Sequence, residues 1–223
     1  VEDNMNKRLE ACLSYLKGFS TLMDVGTDHA YLPIEAVKQN IIQKAYAIDN
    51  KRGPLMLAED NIEKNGLKQH ITPILADGIE ALRSDVDVVV IAGVGGKLIY
   101  DILNNKPYQT VKRFILQPNN HPQLVRKLVN ENNLKIVDEA IVVDQEIPYN
   151  ILVLEPGEQT LSNQSLWISD ILFARRDEAY KKMLESEHAF LVKLLEDVPG
   201  NARKPLEEKR DILKEVFDEW HKD

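Results

Sequence analysis

At 223 residues and 25.5 kDa the chain has room for one α/β core, which ordinarily stops growing near ~250 residues, plus a smaller appendage. A formal charge of −8, a pI near 5.2 and the lack of any run approaching the ~18 apolar residues of a membrane span predict a soluble protein and argue against a generally basic nucleic-acid binder. No charged-then-apolar leader opens the sequence, and the lone Cys12 cannot form an internal disulfide, so the expected compartment is a reducing cytoplasm.

In chain order, Leu9, Leu13 and Leu16 recur at helical spacing and predict a lead-in helix over Met5 to Leu16. Apolar runs then alternate with helix-length segments. The runs are Thr21 to Val25, Lys44 to Ile48, Ile71 to Leu75, Val86 to Ala92 and Arg113 to Leu116; the intervening segments are Pro33 to Gln39, Pro54 to Asn65, Gly78 to Arg83 and Lys97 to Leu103. This order predicts a parallel sheet with crossover helices, and continuous runs such as DVVVIA predict strands covered on both faces. After the helix Gln123 to Asn132 come two further runs, Lys135 to Val143 and Tyr149 to Leu154. The link between them is too short for a crossover, so they form an antiparallel hairpin.

Five parallel strands closed by a hairpin give the seven-stranded Rossmann-like sheet of S-adenosyl-L-methionine (SAM) dependent methyltransferases. A dinucleotide-binding domain would continue with a sixth parallel strand. Glu155-Pro156-Gly157-Glu158 marks a boundary, which divides the chain into residues 1–157 and 158–223. Beyond it one long helix is expected over Leu166 to Val198, a break at Pro199-Gly200-Asn201, and a second helix carrying Leu206, Ile212, Leu213, Val216, Phe217 and Trp220. Together these form a C-terminal antiparallel, coiled-coil-like helical hairpin.

Ligands of open parallel sheets bind over the carboxyl ends of the strands. There the first strand runs into Asp24-Val25-Gly26-Thr27-Asp28-His29-Ala30-Tyr31, the second ends at Asp49-Asn50, and the third at Ala76-Asp77-Gly78. Taken singly, Asp28 and Asp49 could be helix caps and Asp77-Gly78 an ordinary turn. Three acidic residues closing three successive strands suit a cationic ligand that also carries hydroxyl and amino donors, such as SAM, and suit pyrophosphate poorly. Gly93, Gly95 and Gly96, at the end of the fourth strand, lack the spacing of a phosphate loop and are read as clearance for donor and substrate. Asn119 and His121 could form simple turns or present polar groups to an incoming base. With one cysteine and five scattered histidines, no metal site is expected.

The segments DVGTDHAYLP, AIDN, LADGIEAL, IAGVGGKLI, LQPN and PYNILVLEPG together resemble the bacterial TrmK family of tRNA (adenine-N1) methyltransferases acting on the twenty-second nucleotide. The likeness is close over residues 6 to 157 and architectural beyond. It implies SAM as cofactor, tRNA as partner, and a C-terminal coiled-coil domain that helps to hold the tRNA. Carried onto this chain, the SAM positions are Asp24, Gly26, Asp28, His29, Asp49, Asn50, Asp77, Gly78 and Gly93. AGVGG stands where enzymes methylating exocyclic amines carry an Asn/Asp-Pro-Pro-aromatic sequence, so a ring nitrogen is the expected target. Asp28, and after it Asn119, are the candidates to stabilise charge near the base's amino group, and Tyr31 could stack on the base.

Residues 1 to 157 hold 17 Lys and Arg against 21 Asp and Glu, and the remainder 11 against 15, so any tRNA footprint must come from local clusters. Arg175, Arg176, Lys181 and Lys182 form the cluster of first interest. The alternatives are a small-molecule methyltransferase using the hairpin as lid or dimer interface, and a non-catalytic SAM-binding protein whose coiled coil recruits partners. The oligomeric state is not expressed in the sequence.

Overall fold

The computed structural model describes residues 5–108, 110–200 and 203–220. Contacts divide the chain between Thr160 and Leu161 into two compact units. In the first, a helix α1 (Lys7–Ser14) is followed by β1 (Thr21–Val25), α2 (Tyr31–Lys38), β2 (Lys44–Asp49), α3 (Arg52–Lys64), β3 (Ile71–Leu75), β4 (Val88–Val94), α4 (Gly96–Leu103), β5 (Arg113–Pro118), α5 (Pro122–Asn132), β6 (Leu134–Asp144) and β7 (Ile147–Pro156).

The strands form one sheet in the order β3-β2-β1-β4-β5-β7-β6, with β1 to β5 parallel and β7 antiparallel to both its neighbours. The expected hairpin is therefore present and closes the sheet. β1 and the Val88–Ile91 part of β4 are buried residue by residue, as strands covered on both faces must be. Each fully buried aliphatic side chain in them contributes roughly 1.5–3 kcal/mol. Arg126 of α5 is buried with Glu139 of β6, their side chains 1% and 2% exposed, and is held by a forked pair of hydrogen bonds at 3.1 and 2.7 Å. Such burial of charge is tolerated because each ion satisfies the other.

Between β3 and β4 the structure departs from the expected helix. Residues 78–81 form turns and 82–83 are irregular, joined by short-range bonds such as Glu80 N–H to Asp77 O and Leu82 N–H to Ile79 O. A segment with a glycine at its start and a single full turn of apolar residues is too short to sustain a helix against fraying.

The second unit also differs from its expectation. The stretch read as one helix is three: α6 (Asn163–Trp167), α7 (Asp170–Ala174) and α8 (Glu178–Asp197). Each begins on a side-chain cap: Ser162 accepts from Ser165 N–H, Ser169 from Leu172 N–H, and Asp177 from Tyr180 N–H. The apolar period ran on through all three, and the capping residues restarted the helix twice. α8 ends at Asp197; of the expected Pro199-Gly200-Asn201 break, Asn201 lies outside the described residues.

α9 (Lys204–Trp220) packs on α8 through Leu213, Val216 and Trp220 against Tyr180, Leu184, Leu191 and Leu195, a coiled-coil-like spacing. Tyr180 lies near Trp220 while Glu187 pairs with Lys209, so the two helices run antiparallel.

Candidate active site

The parallel register places the ends of β1, β2, β3 and β4 side by side, since β1 pairs with both β2 and β4, and β2 with β3. Over that edge opens a cleft of about 670 Å³, within the usual range for a small-molecule site. Its lining includes Asp24, Gly26, Asp28 and His29 from the first loop, Asp49 and Asn50 from the second, Asp77 and Gly78 from the third, and Gly93 from the fourth. Tyr31 and Asn119 line it as well, so every residue singled out from the sequence as cofactor-binding or catalytic borders one cavity.

The first loop is shaped by its backbone bonds. Gly26 and Thr27 N–H both donate to Ile48 O at 2.9 Å, tying the turn to β2. Gly26, Asp28 and Ala30 all have positive φ (76°, 49° and 57°), a path that glycine takes freely and aspartate tolerates better than most residues. The cap of α2 is Ala30, without a side-chain cap bond, so Asp28 does not serve the helix. Its side chain is 64% exposed and stands 3.6 Å from His29 Nε2, and the His29 ring stacks on Tyr31 at 5.1 Å.

Each of the three strand-end carboxylates uses one oxygen within the strand-end loops, Asp24 and Asp49 on their own loop and Asp77 on the neighbouring one. Asp24 Oδ2 accepts from Thr27 Oγ1 at 2.6 Å, Asp49 Oδ1 from Lys51 N–H at 2.9 Å, and Asp77 Oδ1 from Asn50 Nδ2 at 3.3 Å. The second oxygen of each has no hydrogen-bond donor among the described residues, which leaves three acceptors around the cleft for the donors of a ligand. Burial pushes the Asp24 carboxyl up to about 6; the Thr27 hydroxyl opposes this rise and the nearby charge of Asp49 adds to it. A cation placed beside Asp24 would reverse that effect by favouring the charged form.

The glycines of the fourth loop divide into two kinds. Gly93, at φ 76°, sits in an irregularity of the β4–β5 pairing, borders the cleft and has open space where a side chain would start. Gly95 and Gly96 do not border it. A Cβ on Gly96 would lie 2.6 Å from Asn120 O and still nearer His121 O. Gly96 therefore makes room for the backbone of the neighbouring loop, and of the three only Gly93 stands where it could give a ligand clearance.

Two residues that sequence reasoning did not single out complete this corner. Gln117, 1% exposed, accepts from Gly93 N–H through Oε1 at 3.0 Å and donates from Nε2 to Asn119 Oδ1 at 3.3 Å. Asn119 Nδ2 donates to Gly93 O at 2.6 Å, and its Oδ1 also accepts from Arg8 of α1 at 3.2 Å. The Asn119 carbonyl thus already serves two donors, which leaves Asp28 as the less encumbered acceptor for a base's amino group. Gln117 was legible within LQPN; nothing local marked Arg8. His121 is exposed and outside the cleft lining, held at φ 50° as the residue preceding Pro122 at the start of α5.

In the second unit, Arg176 donates to Trp220 O at 3.0 Å and lies over the Phe173 and Trp220 rings, so it holds the end of α9 to the start of α8. This role competes with the tRNA contact expected of it. Lys182 and Arg175 are exposed.

A family model described as TrmK, tRNA (adenine(22)-N(1))-methyltransferase, matches residues 22–220. The tRNA (adenine(22)-N(1))-methyltransferase of Bacillus subtilis is 30% identical, over 97% of this chain and 98% of its own. Among solved structures, a Streptococcus pneumoniae protein in complex with S-adenosyl-L-methionine superposes with a TM-score of 0.86 at 35% identity, over 96% of this chain and 99% of its own. Mycoplasma capricolum TrmK in complex with the cofactor product S-adenosyl-homocysteine does so at 0.88 and 26%, over 97% and 99%.

Proposed function

The chain belongs to the TrmK family of tRNA (adenine(22)-N(1))-methyltransferases, and from this we propose that it methylates N1 of adenosine at the twenty-second nucleotide of tRNA, with SAM as donor. The observation that carries the reading is the set of three strand-end carboxylates around one cleft, each with an oxygen left for a ligand. When bound, SAM supplies an electrophilic methyl on a sulfonium cation.

Asp24, Asp49 and Asp77 accept from the donor's amino and hydroxyl groups, and the charge of Asp24 faces a cationic ligand. Gly26, Gly78 and Gly93 let the backbone come close, while His29 and Asn50 complete the contacts. N1 lies on the Watson–Crick edge, so the target base must leave its stack, at a cost of a few kcal/mol. The stacked pair His29–Tyr31 offers a ring face to receive it. Asp28 accepts from the exocyclic amine as positive charge builds on the purine, and alignment of N1 with the methyl supplies much of the remaining rate.

Residues 1–157 carry the chemistry and 158–223 help to hold the tRNA in the cytoplasm, where tRNA is processed. Among the described residues no helix is long and apolar enough to cross a membrane. Lys182→Ala should weaken tRNA binding at moderate salt and reduce the salt dependence by about one phosphate contact. Unchanged binding in a filter assay across a salt series would remove the helical unit from that role.

The decisive experiment incubates the protein with SAM and unmodified tRNA and maps the product. The expected result is 1-methyladenosine at the twenty-second nucleotide. Methylation of small molecules without any tRNA product would overturn the reading.

A further inference from the structure

Gly93 forms the irregularity in the β4–β5 pairing, and side chains hold both of its peptide groups: Gln117 takes its N–H and Asn119 its carbonyl. The arrangement depends on which way the Asn119 amide points, because an amide turned by 180° would set its oxygen against Gly93 O. The Arg8 guanidinium fixes that choice together with Gln117 Nε2, which donates to Asn119 Oδ1 at 3.3 Å. The guanidinium donates to the same oxygen at 3.2 Å and lies 4.4 Å from the centre of the Tyr149 ring, with its Nε 3.4 Å from Asp144 Oδ2. Only 22% of its side chain is exposed. A cation held in this way beside the β6–β7 hairpin rejects the amide's NH2 end and donates to its oxygen. The contact joins residues 111 positions apart.

We infer that Arg8 is a positioning residue of the methyl-transfer site, orienting the Asn119 amide and through it the Gly93 peptide at the edge of the cleft. This rests on the methyltransferase reading for its effect on rate, though not for its effect on structure. Arg8→Ala should lower kcat/KM for tRNA about tenfold, the size of one charge-assisted hydrogen bond. Asn119→Ala, which also removes the bond to Gly93 O, should lower it by at least as much, and the double variant should fall no further than Asn119→Ala alone, because Arg8 acts through Asn119. Arg8→Lys keeps the charge beside Asp144 but loses the planar stack on Tyr149. It should show a smaller loss with the same non-additivity, and it replaces Arg8→Ala in the cycle if the latter does not fold.

The second readout is independent of activity. In the ligand-free protein the Gly93 backbone amide and Asn119 side-chain amide resonances should shift together in Arg8→Ala or Arg8→Lys. Resonances that stay in place, wild-type kcat/KM in the folded Arg8 variant, or losses that multiply in the double variant would each overturn the inference. Absence of tRNA methylation by the unaltered enzyme would instead overturn the proposed function, and the resonances would still decide the role of Arg8.

Discussion

Asp24→Asn should raise the melting temperature of the ligand-free protein at pH 8 while removing most of its affinity for SAM. The folded-state carboxyl titrates at about 6, against 3.8 for the ordinary group, so folding binds its proton more tightly. Below the ordinary value both folded and unfolded chains are protonated and the group is neutral to stability. As pH rises through the window between 3.8 and about 6, the unfolded chain ionises first and stability falls. Above that window the full penalty remains, on the order of 3 kcal/mol. Asparagine carries no such penalty, but its NH2 must itself find a partner in a buried place, which offsets about half.

The expected net gain is a few degrees at pH 8, shrinking as the pH is lowered through 6 toward 4. Affinity moves the other way. A cationic donor gains from the Asp24 charge, so wild-type binding should strengthen as pH rises through about 6, and the variant should bind roughly ten- to a hundredfold more weakly at pH 8. Thermal melts paired with calorimetric titration at pH 5.5 and 8 test both limbs. A variant that binds SAM like the wild type would remove Asp24 from the donor site.

Asp28→Asn should leave stability nearly unchanged and lower the methyl-transfer rate at saturating SAM roughly a hundredfold. The carboxylate is largely exposed, caps no helix and, among the described residues, pairs with His29 alone at 3.6 Å, so its substitution disturbs no hydrogen bond there. Asparagine also tolerates the left-handed backbone at this position, which alanine would strain. What the substitution removes is a negative charge beside the place where a purine would become cationic. Single-turnover rates at saturating SAM, compared with melting curves, isolate that effect. A rate within twofold of wild type would transfer the role to another group.

The expected carboxylates share one cleft because strand polarity is a local property of the chain. Alternating strands and helices make β1 to β3 run the same way, so residues that end their strands must end at the same edge. Asp24, Asp49 and Asp77 are therefore legible as a group in the sequence, as is the terminal hairpin from the shortness of its link. Other features were not. The segment at Gly78 reads as a helix by composition and is a run of turns, and the stretch from Leu166 to Val198 keeps its apolar period across two breaks that Ser169 and Asp177 impose by capping. Gly96 looked like a ligand glycine and proves to be clearance for the backbone of the β5 loop.

The sequence alone determined the succession of the strands along the chain, their directions and the acidic character of their tips, since period, chain direction and turn chemistry act over a few residues. Only the tertiary structure decided that Arg8 of the first helix reaches Asn119 and that Gln117 and Asn119 divide the Gly93 peptide between them. Such contacts depend on how a helix is rotated against a sheet and which loops meet across it. That rotation is set by the packing of the whole core and leaves no periodic mark in the chain.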